Sequence, residues 1–308
     1  VTPVPTRCLG SELLLPSLVL ACTTVSLAPG SIGGSAAVDD TGDEAVTSPR
    51  PTRAEVLAAC ELGPDDTIIS TWSWWDDYTP WSSADSWAGK AVMDRPISEP
   101  CAESLGAALG MDWSSFGEGP VAFDTPTTIG QLVVSGILQL TAGDYGSVGE
   151  LQASLTPTEL LTTDVAETLE PNQPAAQLFF DYVQGHVEQM SWHPEDELSC
   201  FFAYEDGDVH VCLGGLAFST ADQWNVGGFP PFVASALVHE AGHDDGPAHV
   251  DQDDADCNGT YGAGARVLEA WLAESGPQAR PLDIDTVEYG LSIACAHIVD
   301  AGSSCPCD

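Results

Sequence analysis

Positive charge is what this chain has least of. Its 308 residues hold seven Lys plus Arg against 47 Asp plus Glu, a formal net charge of −40, and Lys90 is the only lysine. A surface of that sign repels nucleic-acid phosphates and anionic lipid headgroups, so direct binding of nucleic acid or of a membrane face is excluded. The same charge favours solubility and suits a saline medium or cationic partners. Long hydrophobic runs are missing as well. Leu13 to Ala21 is too short to span a bilayer as a helix, and no other stretch approaches that length. Paired CxxC spacings are absent, which excludes a structural zinc knuckle; Cys305 and Cys307 form only a terminal CxC. Neither a phosphate-cradling glycine loop nor a GxSxG elbow occurs, and no internal repeat is found. Methionine is limited to Met93, Met111 and Met190.

What is present begins with a leader. Arg7 followed by LLLPSLVLA and Cys22 has the form of an export signal, and Val-Leu-Ala-Cys at 19–22 resembles a bacterial lipobox, with Cys22 as the lipidation site. Residues 1–22 are accordingly expected to be a signal peptide. The chain is then exported and lipid-anchored to a bacterial membrane, or else secreted or periplasmic, and it meets a membrane only through that anchor. Residues 23–50 are Thr, Ser, Gly, Ala, Asp and Pro with almost no aromatic content, the composition of a flexible tether. Residues 51–308, with an apolar share of 44% over the whole chain, are long enough for one domain with a real core.

Ten cysteines less Cys8 and Cys22 leave eight, an even number that points to disulfides in an exported chain. Cys200 and Cys212 flank Asp206-Gly207, a hairpin turn dipeptide, so a bridge between them is expected; Cys60 and Cys101 are also expected in disulfides, with partners left open. Thr52-Arg-Ala-Glu55 has the form of a capping box opening a helix. Residues 66–87 hold five tryptophans, which either pack on the core or form an aromatic platform for sugar or peptide. Residues 129–140 form a helix or a strand, and Thr156 starts a further helix. Gln177 to Met190 has helical spacing, 200–213 reads as a hairpin, and FVASALVHEAGH after Pro230-Pro231 reads as a buried helix. Further helices are expected at Gly264–Glu274 and Thr286–Val299. Together these elements give an α+β class.

The chemistry lies in the eleven residues HEAGHDDGPAH, 239–249. Histidines four apart share one helix face, so His239 and His243 can reach one ion while Glu240 meets a water rather than the metal. Gly246 can take the positive φ that ends a helix, and Pro247 stops its continuation, so the turn brings His249 to a third position. The stretch matches HExxHxxGxxH and resembles the metzincin metallopeptidases, within the broader zincin group. The methionine turn of metzincins has no counterpart, because all three methionines precede the motif.

The resemblance implies a zincin-like single domain, disulfide-stabilised, whose active-site helix packs on a small mixed or antiparallel sheet. It implies one zinc ion held by His239, His243 and His249, with Glu240 as catalytic base and a peptide or protein as substrate. Glu269, as in gluzincins, is the alternative third ligand, and Asp254 or Asp256, as in aspzincins, come after it. Tyr261 is a candidate oxyanion stabiliser or a packing tyrosine. Asp244, Asp245 and Asp251 could orient the ligand histidines, which usually donate their other N–H to an oxygen. Calcium at DQDDAD (251–256) lacks the EF-hand glycine and terminal glutamate and is a minor alternative. His186, His193, His210 and His297 are expected to be surface or core histidines. The functional alternatives are a non-catalytic metal-binding surface lipoprotein and a zinc amidase acting on cell-wall material.

Overall fold

The computed structural model describes residues 49–69, 73–74, 91–92, 96–124, 128–154, 169–193, 202–205, 207–212, 230–245, 260–279 and 281–296. Cys22, Cys200, His249, Asp251, Asp254, Asp256, His297, the helix start at Thr156 and most of the tryptophan-rich segment lie outside these residues.

Helix α1 (Arg53–Ala59) opens with the reciprocal capping box its sequence calls for. The Thr52 side chain accepts from Glu55 N, and Thr52 N donates back to the Glu55 carboxylate at 2.8 Å. Arg50, just ahead of α1, donates from its guanidinium to the carbonyls of Gln184, Val187 and Glu188. Strands β1 (Ser73–Trp74) and β2 (Ala91–Val92) form a short antiparallel pair. Helix α2 (Glu99–Ala108) is tied to the end of α1 by a Cys60–Cys101 disulfide. Cys295 is also disulfide-bonded.

Residues 129–140, open between helix and strand in the sequence, are helical as α3 (Ile129–Ala142). Thr128 caps its first turn, and it is buried on every side from Gly130 to Ala142, the location an all-round apolar helix requires. Helices α4 (Val148–Ser154) and α5 (Ala175–His186) follow. The helical spacing from Gln177 to Met190 overshoots here. The helix ends at His186, and Gln189–His193 is strand β3, because neighbouring backbone claims the next amides: Glu188 N donates to Gly207 O at 2.7 Å and Met190 N to Gly110 O at 3.3 Å.

The expected hairpin is present as β4 (Phe202–Glu205) and β5 (Asp208–Cys212), paired antiparallel from Phe202↔Val211 to Glu205↔Asp208. On its other edge β5 runs parallel to β3, from Gln189↔Asp208 to His193↔Cys212, so the sheet is mixed with order β3-β5-β4. Helix α6 (Pro230–Asp245) begins at the expected proline pair. Helix α7 (Thr260–Glu274) starts four residues before the expected Gly264, and α8 (Pro281–Ala296) starts five residues before the expected Thr286; the expected end at Val299 lies outside the described residues. The result is helix-rich α+β. No helix among the described residues is long and apolar enough to cross a membrane.

The metal-motif helix is central. Val233, Ala234, Leu237, Val238 and Ala241 of α6 are fully buried and pack with α3, α5, α7 and β4. On the α3 side, a Cβ added at Gly136 would stand 2.1 Å from Val233 Cγ1, so only glycine permits that crossing. On the α7 side, Ser235 Oγ donates to Gly264 O at 2.8 Å, which joins the two helices by a buried hydrogen bond.

Candidate metal centre

Helix α6 delivers His239 and His243 one turn apart, so their rings leave the same face. The ring centroids are 5.1 Å apart with planes at 83°. His239 is 8% exposed and Glu240 3%. The nearest ligand atoms of His239, Glu240 and His243 all lie within 4.8 Å of one another, and the Glu240 Oε2 to His243 Nε2 distance is 3.8 Å. No other group of three or more His, Cys, Asp or Glu donors converges this closely among the described residues.

Glu240 is the electrostatic anomaly of this cluster. Its Oε2 is buried and has no hydrogen-bond partner among the described residues. Burial alone pushes its carboxyl up to about 8, since a carboxylate taken out of water without compensation holds its proton. Leaving such an oxygen unsatisfied costs about 1–3 kcal/mol, a cost that folded proteins rarely carry without a use for the group. The two imidazoles form a donor pair that fits a divalent transition metal, zinc among them, and the carboxylate stands beside it. A cation there would also offset the desolvation of the carboxylate.

The other sequence-derived candidates divide. Tyr261 is brought to the cluster from the start of α7, with its ring 4.5 Å from that of His239 and inclined at 65°. Glu269 is not: its carboxylate is 43% exposed, accepts from Arg266 Nη1 at 2.9 Å, and stands outside the converging group. Asp244 is exposed at the end of α6. The remaining described histidines have neighbours of their own. His186 Nδ1 contacts Tyr182 O at 2.7 Å, and His193 Nε2 contacts Ser191 Oγ at 2.8 Å while stacking on His210 at 3.8 Å.

Residues that sequence reasoning missed lie on the facing helix. Thr260 packs on Gly242, where an added Cβ would meet its Cγ2 at 3.1 Å, and Gly264 packs on Ser235 and His239. Their signal was the run of small residues Gly262-Ala263-Gly264-Ala265, which lets two helix backbones approach closely. Compared with protein-family models, curated proteins and solved structures, the chain matches none.

Proposed function

We propose that this chain is an exported zinc-dependent peptidase of the zincin type, with His239, His243 and His249 as ligands and Glu240 as general base. The observation that carries the reading is the buried Oε2 of Glu240, without a hydrogen-bond partner among the described residues, beside two converging imidazoles. A purely structural zinc site has no use for that carboxylate and usually recruits a fourth protein ligand. The HExxHxxGxxH spacing supports the third histidine and the reaction class.

Zinc in such a site supplies Lewis-acid polarisation of a carbonyl and acidification of a water. The residues of the chain do the rest. Glu240 accepts the proton of the attacking water and passes it to the nitrogen of the leaving amine as the amide bond breaks. The apolar packing of α6 keeps the carboxylate from bulk water, and the helix fixes the spacing between base and ligands.

The test is metal analysis of the full chain alongside hydrolysis of a peptide library. Wild type and Glu240→Gln should each carry about one zinc per chain, and His243→Ala should carry none. Glu240→Gln should lose hydrolysis by about 10²–10⁴-fold, the usual worth of a general base. Folded wild type that takes up no zinc would sink the proposal. Zinc without hydrolysis of any peptide would leave the metal-binding surface protein in its place.

A further inference from the structure

The backbone of α6 fixes where the Cβ of His239 stands, but not its ring, because the terminal torsion of a histidine is a broad, two-fold rotor. What limits that rotor is what the imidazole touches. Among the described residues, its ring meets His243 from the same helix, at 83°, and Tyr261 from α7, at 65° and 4.5 Å. The second depends on how near α7 comes. A Cβ at Gly264 would lie 3.1 Å from both Ser235 O and Ser235 Oγ and 3.4 Å from His239 Cβ, so α7 sits a few tenths of an ångström closer to α6 than a side chain there would allow. Tyr261 is three residues before Gly264 and shares its face, which directs the tyrosine to the same histidine.

We infer that Tyr261 is a positioning residue of the metal centre. Its ring, brought in by the glycine contact at Gly264, holds the His239 imidazole in the orientation that keeps its nitrogen within 4.8 Å of the Glu240 and His243 donor atoms. This rests on the reading of His239 as a ligand. The role belongs to the ring and not to the hydroxyl, which separates it from that of an oxyanion-stabilising phenol.

The experiment is zinc affinity by chelator competition, with the visible spectrum of the cobalt-substituted protein as a second readout, on the full chain. Tyr261→Phe should bind zinc within about twofold of wild type and keep the cobalt spectrum. Tyr261→Ala should bind about tenfold more weakly or worse, as loss of ligand-orienting groups does, and its cobalt bands should move. Gly264→Ala, whose methyl would stand 3.1 Å from Ser235 O and Oγ and so shift α7 from α6 by a few tenths of an ångström, should weaken zinc with the tyrosine still in place. If Tyr261→Ala does not fold, Tyr261→Leu, which keeps bulk without a flat ring, carries the same expectation. Wild-type affinity and spectrum in the alanine or leucine variant overturn the inference. So does equal loss in Tyr261→Phe and Tyr261→Ala, because the hydroxyl would then be the part required. Wild type that binds no zinc overturns it together with the metal reading, whereas zinc-binding wild type with an unaffected Tyr261→Ala overturns it alone.

Discussion

Glu240 is the residue at which function and stability pull apart. A buried carboxyl oxygen with no hydrogen-bond partner among the described residues destabilises the folded chain whether it is protonated or ionised. Replacing it by an apolar side chain of similar size removes the unmet hydrogen bond at little steric cost. Glu240→Met is therefore expected to raise the stability of the metal-free chain by about 1–3 kcal/mol and, under the proposed function, to abolish hydrolysis. Chemical denaturation of both proteins after chelator treatment measures the difference. A variant less stable than wild type would mean that the carboxylate is satisfied in solution and is not held in reserve. His239 is the counter-case, since its ring contacts add to packing and to the site at once.

Among the elements, α6 governs how tightly the centre is built, and its position is set by glycine contacts on two sides. Gly136→Ala places a methyl group 2.1 Å from where Val233 Cγ1 now stands, so α3 and α6 must part. The expected cost is about 1–3 kcal/mol, as for overpacking of a dense core, read as a lower thermal midpoint. An unchanged midpoint would show that the crossing can yield.

The legibility of the fold follows the range of the interactions that create each element. Thr52 and Glu55 cap α1 from within four residues, and Pro230-Pro231 marks the start of α6, so both were readable. The β4–β5 hairpin turns about Gly207, whose φ of 91° suits the glycine found there. Strand β3 was not readable, because Val187 and Met190 continue the helical spacing of α5 and its partner β5 pairs in parallel from farther along the chain. The Cys60–Cys101 connection was equally out of reach, since an even cysteine count does not say which pairs form. At the centre, the spacing of His239, Glu240 and His243 is local and was visible. Tyr261 could be named only by its nearness in sequence; that it meets His239 depends on the crossing of α6 and α7, which no spacing encodes.

On the scale of the whole molecule, the charge of −40 is hardly relieved by the chain's own cations. Arg53 and Arg266 are 4% and 2% exposed, and Arg50 is spent on backbone carbonyls. Self-repulsion of the acidic surface then works against compactness. Raising NaCl from about 0.01 M to about 1 M shortens the screening length from about 30 Å to about 3 Å and should raise the thermal midpoint progressively. A midpoint that stays flat or falls over that range would show that the acidic groups are too dispersed to repel. The same field draws cations and cationic peptides toward the molecule, an attraction that the salt would weaken in step.

Arg50 has a mechanical consequence. Its guanidinium grips Gln184, Val187 and Glu188, at and just beyond the end of α5, ahead of the first turn of α1. Tension on the residues before it is shared at this clasp among several hydrogen bonds before α1 can begin to peel. Peeling that passes the clasp next meets the covalent Cys60–Cys101 link. The leading edge is thus built like a strain relief on a cable: load entering there is stopped at the rim.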